Sequence, residues 1–185
     1  HPDSNLPWST HFLDECINKG AKMIGWNARK PTPATVTEGD WYIGYGMAVG
    51  MWNAGRREAK AAIVMYKDGN ITVQTAMTDI GTGTGTGMQN IAHEITGISK
   101  NKINIELGNS ALPPAPSQGG STGLSSVSGA VYDASNQLKQ KLAEYASSVN
   151  GSFKGAALEN ILLSDKSISL KNNSTVSVSY EELFE

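Results

Sequence analysis

The chain has 185 residues, 39% of them hydrophobic and only 17% charged, with a formal net charge of −2. That length fits one domain or at most two small ones, and low charge beside a near-normal apolar share excludes a disordered chain. The charge balance gives no general footprint for nucleic acid or an anionic membrane surface, and the single cysteine, Cys16, excludes an intrachain disulfide framework and a zinc ribbon.

The opening His1-Pro2-Asp3-Ser4-Asn5 has no signal-peptide pattern and reads as sequence from inside a longer protein. Ser9 and Thr10 can cap a first helix that carries Leu13, Ile17 and Ile24 at helical spacing, with Cys16 and Met23 on the adjacent stripe and Gly25 ending it. Residues 31–40 form a loop by their Pro, Thr and Gly content. Residues 41–54 are apolar and interrupted by glycines, which predicts a strand buried on both faces with another backbone close by. No stretch approaches the roughly 20 apolar residues of a membrane span.

Residues 58–66 and 71–77 flank Lys67-Asp68-Gly69-Asn70, a strong hairpin signal. A Gly-Thr alternation from Gly81 to Gly87 then opens a helix carrying Ile91, Ile95 and Ile98. Ile103, Ile105 and Leu107 alternate as a strand, and a loop runs from Gly108 to about Gly123. A long amphipathic helix follows, with Leu124, Val127, Val131, Ala134, Leu138, Leu142 and Tyr145 at steps of three and four and Gly151 closing it. Residues 156–163 suit a short helix. Residues 167–170 and 175–179 suit two strands, and Ser179 to Glu185 looks like the opening of another helix. The class is α+β: antiparallel hairpins and a mixed sheet packed with a long amphipathic helix. We expect a single domain over residues 1–185, with a helix-and-loop lead-in over 1–40 and the main body over 41–185.

Two segments can carry chemistry. Asp79-Ile80-Gly81-Thr82-Gly83-Thr84 follows a strand and precedes a helix, so glycine turns and a helix N-terminus offer N–H groups to an anion, with the Thr hydroxyls beside them. No Lys follows the last Gly, which excludes a P-loop, and the surrounding strands look antiparallel rather than βαβ. The second segment, Pro116-Ser117-Gln118-Gly119-Gly120-Ser121-Thr122-Gly123-Leu124-Ser125, repeats this logic at the start of the long helix. Each loop is equally well read as a plain glycine-rich connector. His93 reads as solvated, Cys16 as a buried inert thiol, and Trp8, Trp26, Trp41 and Trp52 as core or interface anchors. Arg56 and Arg57 suit a solvated turn. No metal cluster and no Ser/His/Asp set is visible.

Taken in order, these segments resemble the molybdopterin-binding subunit of the xanthine dehydrogenase/aldehyde oxidase family. The resemblance rests on Asp79-Ile80-Gly81-Thr82-Gly83-Thr84, Ile105-Glu106-Leu107-Gly108-Asn109-Ser110, Leu112-Pro113, Gly119-Gly120-Ser121 and Ala130-Val131-Tyr132. Trp8-Ser9-Thr10, Glu15-Cys16, Gly25-Trp26, Met51-Trp52 and Ala54-Gly55-Arg56 extend it over most of the chain.

The resemblance implies part of the second molybdenum-cofactor-binding domain of an oxidoreductase that hydroxylates aldehydes or N-heterocycles with oxygen from water. It assigns Gly81, Thr82, Gly83 and Thr84 to the cofactor near its dithiolene, and Gly119, Gly120, Ser121, Gly123, Leu124 and Ser125 to the pterin and its phosphate side. Gly81-Thr82-Gly83, where the xanthine dehydrogenase branch has Gly-Gln-Gly, resembles the bacterial aldehyde-oxidising branch. The implied cofactor is molybdopterin, in plain or dinucleotide form. The implied partners are the remaining molybdenum-binding domains, iron–sulfur subunits with or without an FAD subunit, and a small aldehyde or heterocycle. The family's general base lies in a Gly-x-Gly-Glu motif that this chain lacks, so no catalytic or metal residue is assigned. The isolated chain is expected to be inactive, free of cofactor, and prone to self-association through bare apolar surface. Cytoplasm and periplasm are both left open, and a stand-alone phosphate- or nucleotide-binding module is the alternative reading.

Overall fold

A computed structural model describes residues 5, 7, 10–50, 52 and 55–185. The chain divides into two compact units, His1–Trp52 and Asn53–Glu185.

In the first unit, helix α1 spans Leu13–Met23. Asp14 and Glu15 sit in its first turn and Lys22 in its last, each sign complementing the helix dipole. Gly25, at φ 67°, turns the chain out of it. Strands β1 (Thr37–Glu38) and β2 (Trp41–Tyr42) pair antiparallel across Gly39. No described residue of this unit is buried. The expected strand over 41–54 is therefore reduced to the exposed pair Trp41–Tyr42, and residues 43–50 join no ladder. Cys16 is exposed rather than buried. Trp41 and Trp52 are 76% and 72% exposed, so neither anchors a core. Arg29 stacks on Trp26, its guanidinium carbon 3.8 Å from the ring centroid. Trp8, Ser9, Met51 and Ala54 lie outside the described residues.

The second unit holds the core. Strands β3 (Ala62–Met65) and β4 (Ile71–Gln74) form the expected hairpin. Asp68 accepts from the Asn70 N–H at 3.0 Å, and Gly69 takes φ 82°. Strand β5 (Ile103–Glu106) lies parallel to β4, with Ile71 opposite Ile103 and Val73 opposite Ile105. This corrects the antiparallel reading around the first loop. Alternation reveals which face of a strand is buried, not its direction, and parallel pairing follows once a helix makes the crossover. That helix, α2 (Thr84–Thr96), buries Met88, Ala92 and Thr96, and Gly97 closes it at φ 76°. Ile98 lies beyond this stop and is fully buried.

Helix α3 (Gly123–Val149) packs on α2 and buries Val127, Val131, Ser135, Leu142 and Ala146. A second antiparallel sheet follows, ordered β6 (Ile161–Leu163), β7 (Ser167–Leu170) and β8 (Asn173–Ser179). The helix expected over 156–163 is instead a single 3-10 turn, Leu158–Asn160, leading into β6. Ile161, Leu162 and Leu163 alternate buried, exposed, buried, so a strand suits them better than a helix turn. Helix α4 (Tyr180–Leu183) is capped by the Ser179 hydroxyl, which accepts from the Glu182 N–H at 3.2 Å. No described helix is long and apolar enough to cross a membrane.

Candidate functional site

Because β4 and β5 run parallel, their carboxyl ends lie on the same side of the sheet. The first glycine loop leaves β4 there and enters α2; the second leaves β5 there and enters α3. In open sheets with parallel strands, ligands bind outside such carboxyl ends. Backbone bonds tie both loops down: Gly108 donates to Met77 O at 2.9 Å, Ala76 to Pro113 O at 2.8 Å, and Lys60 to Pro114 O at 2.8 Å.

Asp79 organises the first loop. Its Oδ1 accepts from the N–H groups of Gly81 (3.0 Å), Thr82 (3.0 Å) and Gly83 (3.2 Å), and its Oδ2 accepts from Gly85 at 3.2 Å. The Gly85 N–H first, and then those of Gly81, Gly83 and Thr82, hold the carboxyl below the usual aspartate range against an opposing desolvation effect. The N–H groups expected to meet an external anion are thus already occupied by an internal one. Gly81 (φ 96°) and Gly83 (φ 81°) need glycine for their backbone angles, and a Cβ at either would meet open space. Thr82 is exposed, whereas Thr84 is 1% exposed with its hydroxyl 3.4 Å from that of Thr82.

The second loop has the opposite character. Gly119 to Thr122 make a tight turn, with Gly120 and Ser121 both at φ 59° and the Thr122 N–H donating to Gly119 O at 3.1 Å. Gly119, Gly120 and Ser121 are exposed, and none of their N–H groups, nor the Ser121 hydroxyl, bonds another described residue. A cluster of open donors on an exposed turn at a helix start suits a phosphate oxyanion.

At the start of α3, Gly123 is buried, Ser125 half-buried and Leu124 exposed. The Ser125 hydroxyl donates to Gly55 O at 2.7 Å and to Thr122 O at 3.0 Å. Leu124 packs on Gly87 of α2, where a Cβ would come within 2.7 Å of its methyl groups. Arg57 N–H donates to Ser126 Oγ at 2.9 Å, and the Arg56 guanidinium covers Gly129. The two loops meet directly: Gln118 Nε2 donates to Thr82 Oγ1 at 3.3 Å. Sequence reading passed over Asp79 and Gln118 as individuals. An acidic residue two positions before a glycine run was the available signal for Asp79.

His93 is half-buried, its Nδ1 2.7 Å from Ile98 O, which makes it a brace after α2 rather than a solvated side chain. Among the described residues, no group of three or more His, Cys, Asp or Glu could hold a metal.

Two glycine loops that meet at paired helix starts, outside the carboxyl ends of two parallel strands, make an arrangement suited to an anionic ligand. Residues 19–185 match the molybdopterin cofactor-binding domain family, and the chain belongs to that family. It is 35% identical over 141 residues to the aldehyde oxidoreductase molybdenum-binding subunit PaoC of Escherichia coli (strain K12), covering 76% of this chain and 19% of PaoC. It is 36% identical over 86 residues to the probable hypoxanthine oxidase XdhD of the same organism, covering 45% of this chain and 8% of that protein. The chain thus spans less than a fifth of the length of these curated relatives. Its fold resembles quinoline 2-oxidoreductase from Pseudomonas putida 86, with a TM-score of 0.57 at 19% identity over 68% of this chain and 15% of that one. Carbon monoxide dehydrogenase from Oligotropha carboxidovorans gives 0.55 at 20% identity, again over 68% and 15%. These matches support a molybdopterin-binding domain and lend nothing to a stand-alone nucleotide module.

Proposed function

We propose that this chain forms one wall of the molybdenum cofactor site in a hydroxylase that oxidises aldehydes or N-heterocycles with oxygen from water. The observation that carries the reading is the meeting of two glycine loops outside the carboxyl ends of parallel strands, one of them with its donors open. The similarity to PaoC favours an aldehyde as substrate.

In this reading Gly119, Gly120 and Ser121 take the phosphate side of the cofactor with three N–H groups and one hydroxyl. The donor set fits, because these residues are exposed and their donors bond no other described residue. Gly81 and Gly83 admit the cofactor closely, since they present no side chain to the open space before them. Thr82 adds an exposed hydroxyl, and Thr84 supports it from beneath. Gly123, Leu124 and Ser125 fix the start of α3 against α2 and Gly55. When bound, the cofactor supplies the molybdenum that takes up the substrate's electrons.

The sequence holds no Gly-x-Gly-Glu motif, so this reading takes the general base from outside it. In this reading that group, the other walls of the site and the iron–sulfur partner, with or without an FAD partner, come from the rest of the enzyme. The second loop also suits the longer pyrophosphate of a dinucleotide cofactor. One open wall does not enclose a polar cofactor, so the domain alone should neither retain it nor oxidise substrate.

Metal and pterin analysis tests this. The full-length protein should contain both, and the excised domain neither. A full-length protein free of molybdenum and pterin would overturn the cofactor reading. Stoichiometric molybdenum with aldehyde oxidation in the excised domain would overturn the one-wall reading.

A further inference from the structure

The side chain that joins the two loops is held in a pose with a feature that needs a cause. Gln118 donates from Nε2 to Thr82 Oγ1 at 3.3 Å, while its Oε1 is buried with no hydrogen-bond partner. Buried polar atoms are rarely left unpaired. A side chain free to rotate would carry that oxygen into water. Two contacts oppose the rotation: the Thr82 bond at one end, and the fit of the amide over Gly123, where a Cβ would collide with the Gln118 amide oxygen. The amide therefore touches the first loop, the second loop and the first residue of α3 together.

We propose that Gln118 is a positioning residue that bolts the 81–83 loop to the 119–121 turn, and so sets the spacing at which the two can hold one cofactor. This rests on the cofactor reading above. Gln118 acts through Thr82 and Gly123, and no contact of its own with the cofactor is required. The bolt also gives Gly123 a reason to be glycine, since its backbone is helical and demands no special φ.

Three variants of the full-length protein test the bolt, each read by molybdenum and pterin content, by melting temperature and by hydrogen exchange at residues 81–85. Gln118→Ala should lower cofactor loading about two- to tenfold, the worth of one net hydrogen bond, and speed exchange in the first loop. Gly123→Ala should do the same by displacing the amide, although alanine favours a helix and should hold or raise the melting temperature. Gln118→Glu keeps the length and places a negative charge at the start of α3, which suits the helix dipole. It should keep the melting temperature while lowering loading beside an anionic cofactor. Loading that falls while stability holds in the last two variants supports a positioning role. Loading that simply tracks melting temperature, or wild-type loading with unchanged exchange in Gln118→Ala, overturns it. If the wild type itself carries no cofactor, the cofactor reading fails, and exchange in the first loop still decides whether Gln118 couples the loops.

Discussion

The 81–83 loop and the 119–121 turn each lead from the carboxyl end of a parallel strand toward a helix, and each is rich in glycine and hydroxyls. In the first, three consecutive N–H groups converge on the carboxylate of Asp79. In the second, the corresponding groups bond no other described residue. Similar composition thus serves two purposes. The first loop satisfies its own N–H groups through Asp79, while the second presents donors that no described residue takes up. An anion on the 81–83 loop would have to compete with Asp79, whereas one on the 119–121 turn meets no such competitor among the described residues.

The largest effects should come from β-branched substitutions, which both loops should reject. Gly83→Val and Gly120→Val place a stiff side chain at φ 81° and φ 59°, where an L-residue loses about 1–2 kcal/mol. In the proposed site, each would also stand in the cofactor's approach to the backbone. We expect molybdenum loading of the full-length protein to fall more than about tenfold in both, with far-ultraviolet circular dichroism little changed. Wild-type loading in both would make the loops connectors.

Asp79 separates the two loops more sharply. Asp79→Ala frees four N–H donors at once and should loosen the first loop, seen as faster hydrogen exchange at Gly81, Thr82, Gly83 and Gly85 with the 119–121 turn unaffected. Asp79→Asn keeps one acceptor and should be milder. Because the folded pKa of Asp79 is depressed below its ordinary 3.8, its contribution is fully present above that value. It is lost only as pH falls through the lower folded value. Exchange in this loop should therefore be constant, after correction for the intrinsic rate, from about pH 8 to about pH 5 and rise only below about pH 4. Loosening near neutrality would assign the loop's order to another group.

How much of this was legible in the residues differs from element to element. The Asp-Gly turn specified the β3–β4 hairpin because only a few turn types join two such strands, and the apolar repeat from Leu124 onward specified α3. The parallel direction of β5 was not legible, since alternation in Ile103 and Ile105 is the same in either direction. Residues 41–54 misled because apolar composition signals a need for burial without naming a partner, and no described residue of the first unit is buried. The two loops were found from composition and order, but the division of labour between them was not. It depends on where one carboxylate points, and glycine content carries no such information.

Gly119→Ala tests the open loop without the complication of strain. Gly119 has an ordinary φ, and a Cβ there would meet no protein atom within 4 Å. The melting temperature should stay within the range of surface substitutions, equivalent to about 0.5 kcal/mol. Loading should fall a few-fold if the cofactor approaches the backbone there. Unchanged loading would move the phosphate away from Gly119.

The smallest effect, and the one with opposed signs, is expected at Ser121. Its φ of 59° lies in the left-handed region, which costs a non-glycine residue about 1–2 kcal/mol. Ser121→Gly removes that strain at an entropic cost of roughly 0.5–1 kcal/mol, so the domain should become slightly more stable. The same change deletes a hydroxyl that bonds no other described residue, a donor worth about 0.5–1.5 kcal/mol to a neutral partner and up to about 3 to a charged one. Ser121→Ala deletes the same hydroxyl and keeps the strain. Both variants should therefore lose a similar, modest share of cofactor, while only Ser121→Gly gains in melting temperature. A serine kept at a strained position for its hydroxyl gives this split; a serine tolerated in a simple connector would give the gain in stability with no loss of cofactor.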